Sequence, residues 1–327
     1  MSRLFRRRPF AGLAALAGLG LLAAACSGGG GSAAPTGLEK TNLVVAAVPA
    51  MDSAGLYIAQ QRGLFAAEGL RVTILPAISG ETTIAGQLSN KFDVTVGNYV
   101  SYIRANAYHP KENQFRVLAA GSIMQTNNQV IMVPPNSHIN TVSQLANQKI
   151  GVNVKQNIGT LLVSSILTDN AVQAPPQSDF VPIPFPDMAA ALQAGRVAAA
   201  WMPEPYVSEA EEKYGDLPLA DSDQGHAQDL PIAGYMVTSS WLKANPNTAA
   251  AFRKAITEAQ TIAGTNPAAI EQGMVKFAAT PASAAAIASA PEFPTQQNTQ
   301  LLQRLSDLLL NFGMLPQNYN VSQMIAK

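Results

Sequence analysis

The chain has little of what marks the common catalytic and metal-binding sites. It has one cysteine, Cys26, and three histidines, His109, His138 and His226. A single cysteine forms no intramolecular disulfide, and its early position leaves no thiolate metal ligand in the rest of the chain. The histidines are too far apart for a metal motif such as H-x-x-x-H, and neither a G-x-S-x-G nucleophile motif nor a phosphate-binding G-x-x-x-x-G-K-[ST] loop occurs. We therefore expect no catalytic residue, no metal and no cofactor.

Charge is also scarce, since only 13% of the residues are Asp, Glu, Lys or Arg. The 21 basic and 21 acidic residues balance over the whole chain, but four arginines stand within the first eight residues. Without residues 1–25, the chain holds 17 basic and 21 acidic residues, a net charge of −4. Nucleic-acid-binding domains usually present a basic surface. The composition therefore argues against a nucleic-acid partner.

The apolar run at the amino terminus is too short for a bilayer-spanning helix, which needs about 20 residues. Residues 10–25 form this run of 16, directly after the basic cluster, and small residues lead to Cys26. These are the marks of a secretory signal, and Cys26 resembles the acylated cysteine of a bacterial lipobox. We predict a lipoprotein signal peptide at residues 1–25 and a lipid anchor at Cys26 on the outer face of the cell membrane. The alternative is a small buried thiol.

After a Gly- and Ser-rich stretch, predicted to be a flexible tether at residues 26–40, short strand-like runs alternate with helical segments. Residues 43–48, 71–75 and 93–96 have the length and composition of strands. The same alternation recurs at residues 129–133, 150–154 and 195–201, and helical segments fill the chain after residue 247. This spacing predicts a mostly parallel α/β fold, and the length allows two lobes.

A family motif lies in the first of these segments. Val48-Pro49 is followed by LYIAQQRGLF at residues 56–65 and EGLRV at residues 68–72. With ALQAGRV at residues 191–197 and WMPEPY at residues 201–206, the chain resembles the nitrate-, taurine- and alkanesulfonate-binding family, which also includes binders of thiamine precursors and riboflavin-type compounds. The resemblance covers residues 43–240 and departs at Ala198, where many members carry Asp.

This resemblance implies a type II periplasmic-binding fold with two lobes, each a mostly parallel sheet flanked by helices, and a helical C-terminal tail. We expect lobe 1 at residues 41–125 and 242–327, and lobe 2 at residues 126–241. The resemblance also implies a monomer that holds a small-molecule solute between the lobes and delivers it to an ABC permease and its ATPase. In open α/β sheets, ligands bind beyond the carboxyl ends of the strands, so the loops at those ends are the candidate site.

In lobe 1 the candidate ligand contacts follow the predicted strands. They are Met51, Asp52, Ser53, Ser79, Gly80, Gly97 and Asn98. Glycine lets the backbone approach a ligand closely, and the polar side chains could bind one. The same residues could instead cap helices or form turns. Gln125, near the predicted crossover between the lobes, is a further candidate that could equally be solvated.

In lobe 2 the candidates are Gly159, Thr160, Trp201, Glu204 and Tyr235. Gly159 and Thr160 open a helix directly after a strand, where they could hold an oxyanion or simply cap the helix. Trp201 could stack on a planar ligand or lie in the core. Glu204 could accept a hydrogen bond from an amine or amide, or merely favour the start of a helix. Tyr235 is an additional contact candidate.

The candidate loops leave the charge of the solute open. They carry Asp52, Glu81 and Glu204, and Lys155 is the nearest cation in sequence. The expected solute is therefore either a sulfonate-like anion or a nitrogen heterocycle. Two other functions remain open: a lipid-anchored ligand-sensing domain for a signalling partner, and an enzyme like the fungal thiamin-pyrimidine synthase. The lack of any internal cysteine disfavours the enzyme, because the chemistry of that synthase depends on a cysteine-rich segment.

Overall fold

In the computed structural model, residues 37–109 and 115–326 are described. The predicted signal peptide, the predicted lipid anchor at Cys26 and residues 26–36 of the predicted tether lie outside the described residues. The end of that tether contacts the folded body. The Glu39 carboxylate accepts hydrogen bonds from the backbone N–H groups of Asn247 (3.1 Å) and Thr248 (2.9 Å), and Lys40 Nζ lies 2.6 Å from Asp93 Oδ1. The body therefore starts by Glu39, earlier than the predicted lobe boundary at residue 41.

The strands follow the apolar runs of the sequence. In chain order they are β1 (Asn42–Ala47), β2 (Arg71–Pro76), β3 (Val94–Asn98), β4 (Phe115–Ile123), β5 (Gln129–Val133), β6 (Ile150–Val152), β7 (Phe180–Pro182), β8 (Ala199–Pro203), β9 (Leu217–Asp221) and β10 (Pro231–Thr238). The interior strands β3, β5, β8 and β10 are buried along nearly their whole length, which explains why their sequences show no polar alternation.

These strands form two five-stranded sheets of similar design. The first sheet has the order β2-β1-β3-β10-β4, and the second has the order β7-β6-β8-β5-β9. In the first sheet only β10 is antiparallel to its neighbours, and in the second only β5 is. Four of the five strands in each sheet therefore run in one direction, as the sequence predicts.

Helices flank both sheets. They are α1 (Ala54–Gln61), α2 (Leu64–Ala67), α3 (Gly80–Leu88), α4 (Tyr99–Tyr108), α5 (Ile158–Asp169), α6 (Phe185–Gln193), α7 (Tyr206–Tyr214), α8 (Ser239–Ala244), α9 (Pro246–Thr265), α10 (Pro267–Gly273), α11 (Ala282–Ile287) and α12 (Thr299–Asn311). Prolines 246 and 267 stand at the first positions of α9 and α10, where a missing N–H costs nothing. Among the described helices, none combines the length and apolar character needed to cross a bilayer.

The chain passes between the sheets twice, once between β4 and β5 and once between β9 and β10. The second passage corrects the predicted division at residue 241. Strand β10 lies within the segment predicted for lobe 2, but its pairing with β3 and β4 places it in the first sheet. The physical reason is that residues 231–238 form an apolar strand that is buried along its whole length. Between β3 and β4 this strand has a hydrogen-bonding partner on each edge. By sheet membership, lobe 2 thus ends between residues 221 and 231.

The helical tail completes lobe 1. Helix α9 packs along α1 and α2, where the rings of Phe252 and Phe65 stack with centroids 5.1 Å apart. Helix α12 contacts α4 and β10, and the last described residues return to β4 through a bridge between Ile325 and Val117. The predicted helical C-terminal tail is confirmed.

Candidate functional site

A cavity lies between the two sheets, at the carboxyl ends of the strands that share a direction. Its volume is about 430 Å³, counting the part open to solvent. It is lined by Val48, Ala50, Asp52, Ser53, Val96, Gly97, Asn98, Ile232 and Ala233 from the side of the first sheet, and by Gln129, Asn153, Phe185, Trp201 and Pro203 from the side of the second. The two reversed strands, β5 and β10, present their amino ends to the same space.

Asp52 is the charged group of the cavity lining. It sits in a short 3₁₀ helix (Met51–Ser53) just after β1 and is only 8% exposed. Its Oδ1 accepts a hydrogen bond of 2.5 Å from the hydroxyl of Ser122, and its Oδ2 lies 3.4 Å from Nε2 of Gln129. Burial raises the pKa of the Asp52 carboxyl, and these two hydrogen bonds only partly oppose the effect. Among the described lining residues there is no Lys, Arg or His to neutralise it.

Two amide side chains reach the cavity from the second sheet. Gln129 stands at the start of β5 and donates through Nε2 to Asp52 and to Oδ1 of Asn128 (3.3 Å), which leaves its buried Oε1 without a partner among the described residues. Asn153 follows β6, and its Oδ1 is likewise buried without a partner in the described part of the chain. Buried polar atoms are normally hydrogen-bonded, so both oxygens are candidates to accept from a ligand.

Aromatic rings form the opposite part of the lining. Trp201 in β8 is 1% exposed, and its Nε1 donates to the hydroxyl of Ser222 (3.2 Å). The Phe185 ring lies 5.9 Å from the Trp201 ring and stacks on that of Tyr206 at 5.3 Å. Gly159, at the start of α5, closes the far face of Trp201, because a Cβ at that position would lie 2.6 Å from Trp201 Cε3. Gly159 therefore leaves the room that the indole occupies and is not itself part of the lining.

Glu204 stands beside the cavity and is fully engaged with other groups. Its carboxylate accepts from the backbone N–H of Ser208 (3.1 Å), the Ser208 hydroxyl (2.9 Å) and the backbone N–H of Ser289 (3.1 Å). Its carbonyl oxygen accepts from the backbone N–H of Met51 (2.8 Å), so it ties the first sheet to the second. Burial raises the pKa of Glu204 to about 7, with a smaller contribution from the negative charge of Glu211. Met51 and Glu204 thus join the lobes and do not line the cavity.

Further side-chain contacts bridge the lobes at the other end of the cleft. Asn157, which precedes α5, donates through Nδ2 to Glu81 Oε1 (2.8 Å) and to the hydroxyl of Ser101 (3.0 Å). Arg104 of α4 donates through Nη2 to Oε1 of Gln156 (2.8 Å). These bonds join segments of different lobes, so the cavity is enclosed between two connected walls.

Residues 50–270 match the family described as NMT1/THI5 like. The chain belongs to the NMT1/THI5-like family. The resemblance predicted from the sequence is confirmed.

Known proteins similar to this NMT1/THI5-like chain include YtlA of Bacillus subtilis strain 168, which is named for a binding role. It is 26% identical over 208 residues, 63% of this chain and 61% of YtlA, so the chain spans less than two thirds of that relative. The alkanesulfonate-binding protein SsuA from Xanthomonas axonopodis pv. citri, bound to MOPS, has a TM-score of 0.73 at 16% identity over 90% of this chain and 99% of SsuA. The periplasmic nitrate-binding protein NrtA from Synechocystis PCC 6803 has a TM-score of 0.73 at 16% identity over 88% and 86%. The two-lobe periplasmic-binding fold is confirmed.

Of the predicted site residues, the structure brings Asp52, Ser53, Gly97, Asn98 and Trp201 to the cavity. That they bind a ligand remains a prediction. Two of them also have local roles, because Ser53 donates its hydroxyl to the Val48 carbonyl oxygen (2.7 Å) and Asn98 accepts from the Ser101 backbone at the start of α4 (3.0 Å). Asn98 therefore both caps α4 and lines the cavity.

The remaining predicted residues lie elsewhere. Ser79 and Thr160 form the hydrogen bonds that cap α3 and α5. Gly80 lets α3 pack closely on α4, since a Cβ would lie 2.2 Å from a side-chain oxygen there. Gln125 bonds through its amide to the neighbouring backbone (2.8 Å). Tyr235 is completely buried on the side of the first sheet that packs against α9.

The cavity lining also contains Gln129, Asn153 and Phe185, which are not among the predicted site residues. Asn153 could have been found by the same rule that selects the other loops, because it is the first residue after β6. Gln129 begins β5, which is antiparallel to both of its neighbours. The expectation that ligands bind at the carboxyl ends of strands therefore does not select it. Phe185 follows a strand of three residues, a signal too short to recognise.

Proposed function

We propose that the chain is an extracytoplasmic solute-binding lipoprotein that captures a small organic molecule in the cleft and delivers it to an ABC importer. The observation that carries this proposal is the cavity between the two sheets, which is lined by residues of both lobes with backbone, amide and aromatic groups. A solute that contacts both lobes stabilises the closed arrangement, and a permease can distinguish that arrangement from an open one. The solute is a sulfonate-like anion or a nitrogen heterocycle, and the chain carries it without transforming it.

Two observations support a location outside the cytoplasm. The first is the signal-like sequence at residues 1–25 with Cys26 as the lipid-anchor position, which would hold the body at the membrane near its permease. The second is the fold shared with SsuA and NrtA, which are named as binding proteins for an alkanesulfonate and for nitrate. We propose a monomer with a permease and an ATPase as partners.

A ligand-sensing domain for a signalling partner is the alternative that the same cleft would serve. An importer component passes its solute to a permease, whereas a sensor only reports that the solute is bound, so a measurement of uptake separates the two functions. A strain that lacks the gene should fail to accumulate the bound solute if the protein serves an importer, and should accumulate it normally if the protein is only a sensor.

Solute binding itself is tested by thermal shift on residues 27–327, with sulfonates, nitrate, nitrogen heterocycles and aromatic acids as the panel. A bound solute should raise the melting temperature in proportion to the logarithm of its concentration, because it binds only the folded state. The rise should be lost in Trp201→Ala, at the cavity wall, and kept in Trp241→Ala, the other tryptophan, whose Nε1 bonds to Asp93 away from the cavity. Phe185→Leu is a milder cavity variant in case Trp201→Ala does not fold. A compound that stabilises wild type and all three variants equally would contradict binding in this cleft.

A further inference from the structure

The cavity lining is rich in hydrogen-bond acceptors and poor in positive charge. Asp52 contributes a carboxylate, and Gln129 and Asn153 each contribute an amide oxygen with no partner among the described residues. The described lining residues include no cationic side chain. The proposed solutes include both anions and nitrogen compounds. A lining of acceptors without a positive side chain favours the nitrogen compounds, which can donate hydrogen bonds to it.

The Asp52 carboxylate is less compensated than another buried acid of the chain. Asp93 accepts from Lys40 Nζ (2.6 Å), from Trp241 Nε1 (2.9 Å) and from the backbone N–H of Val44 (2.9 Å). From other residues, Asp52 accepts a hydrogen bond from a neutral hydroxyl at 2.5 Å and a long amide contact at 3.4 Å, and the described cavity lining offers it no cation. A buried carboxylate without a cation or several donors is costly, so its position at the cavity favours a ligand that supplies donors.

The orientation of Gln129 follows from Asp52. Its Nε2 donates to the carboxylate and to the Asn128 side-chain oxygen, so the opposite atom of the amide, Oε1, must be the one left free. The side chain is 1% exposed, and water therefore does not satisfy this oxygen from outside. Turning the amide would place an oxygen against the carboxylate, which the like partial charges oppose. The free acceptor is thus fixed by its neighbours.

The rest of the lining restricts the shape of the ligand. The rings of Phe185 and Trp201 stand 5.9 Å apart at an interplanar angle of 53°, and both border the cavity. Aromatic walls of this kind favour flat molecules, and cations gain additionally from the ring faces. An anion would instead meet Asp52 with no positive side chain to offset the repulsion.

We propose that the solute is a flat nitrogen compound, neutral or cationic, whose N–H groups donate to Asp52, Gln129 and Asn153. This inference rests on the proposed function, because it assumes that the cleft is the binding site. It narrows the two solute classes of that proposal to one and excludes the sulfonate-like anion.

The test uses four probes that share one benzene ring: benzamidine (a cation), benzamide (a neutral donor), benzoate and benzenesulfonate. Their binding to residues 27–327 is measured by calorimetry at neutral pH. We expect benzamidine or benzamide to bind more tightly than both anions. Asp52→Asn should weaken benzamidine by at least about tenfold, since hydrogen bonds to a charged group are stronger than those between neutral groups. Asn153→Ala, which removes the buried Oδ1 acceptor, should weaken benzamide.

Asp216→Asn is the matched control. Asp216 is also buried, accepts from Gln193 Nε2 (2.6 Å) and lies outside the cavity, so its replacement should leave binding unchanged. If the two anions bind and the nitrogen probes do not, the inference is wrong while the proposed function stands. If benzamidine binds equally to wild type and Asp52→Asn, the inference is also wrong. Binding of none of the four probes, together with no response to the wider solute panel, would overturn both.

Discussion

The two walls of the cleft each carry a buried carboxylate, and the two groups are held in different ways. Glu204, on the side of the second sheet, accepts three hydrogen bonds, two of them from backbone N–H groups. Asp52, on the side of the first sheet, accepts from two side chains, one at the long distance of 3.4 Å. Only Asp52 lines the cavity. The comparison separates a carboxylate that joins structural elements from one that is available to a ligand.

The difference has a physical origin in the surrounding backbone. The Glu204 carboxylate accepts from N–H groups at the start of α7 and just after α11. Both the carboxylate and these donors are thus hydrogen-bonded within the protein. Asp52 follows β1, where its donors from other residues are the side chains of Ser122 and Gln129. The Asp52 carboxylate can therefore accept further hydrogen bonds from a ligand in the cavity, at some cost in the stability of the free protein.

The largest effect that would sharpen this comparison is expected at Glu204. Glu204→Ala leaves the buried Ser208 donors and the part-buried Ser289 N–H without their acceptor and opens a small cavity, so we expect the free energy of unfolding to fall by about 4 kcal/mol. Urea denaturation followed by circular dichroism measures this. Glu209→Ala, which removes an acid in the first turn of the following helix α7, is the control. A loss below about 1 kcal/mol would show that Glu204 is not a structural acid.

The pH dependence of stability gives the next effect. Burial raises the pKa of Glu204 from 4.5 to about 7, so between these values the native protein keeps a proton that the unfolded chain has lost. The Glu204 contribution to stability is therefore greatest below pH 4.5 and falls as pH rises to about 7, by on the order of 2–3 kcal/mol. Glu204→Gln should remove that decline. Because burial also raises the pKa of Asp216 to about 6, the difference between wild type and variant is the quantity to measure. Parallel curves would contradict the assignment.

The sequence predicts the general architecture of the cleft because it depends on strong local signals. The apolar runs at β1, β3 and β8 and the caps such as Ser79 are local, and ligand sites in such sheets lie at known strand ends. Asp52 and Trp201 are found in this way. The same rule applied to the loop after β2 selects Ser79 and Gly80, which serve α3 instead.

Local sequence patterns do not reveal which strands pair with each other across long distances in the chain. Gln129 reaches the cavity because β5 runs against β8, and Tyr235 misses it because β10 turns that ring toward α9. Which buried strand is reversed and which face of it meets the cleft both depend on neighbours far away in sequence. The predicted division of the lobes at residue 241 is wrong for the same reason. Strand β10 is assigned to the first sheet only by its pairing with β3 and β4.

The smallest expected effect belongs to Asp52 and has the opposite sign to that of Glu204. Asp52→Asn keeps the shape of the side chain, can still accept from Gln129 and can donate to the Ser122 hydroxyl, while it removes a desolvated charge whose pKa is raised by burial. We expect a gain of about 1 kcal/mol in the free energy of unfolding at neutral pH without ligand. The gain should vanish as pH falls, because wild-type Asp52 then becomes neutral as well. A loss of stability at neutral pH would mean that the carboxylate belongs to the structural framework, and the contrast between the two walls would disappear.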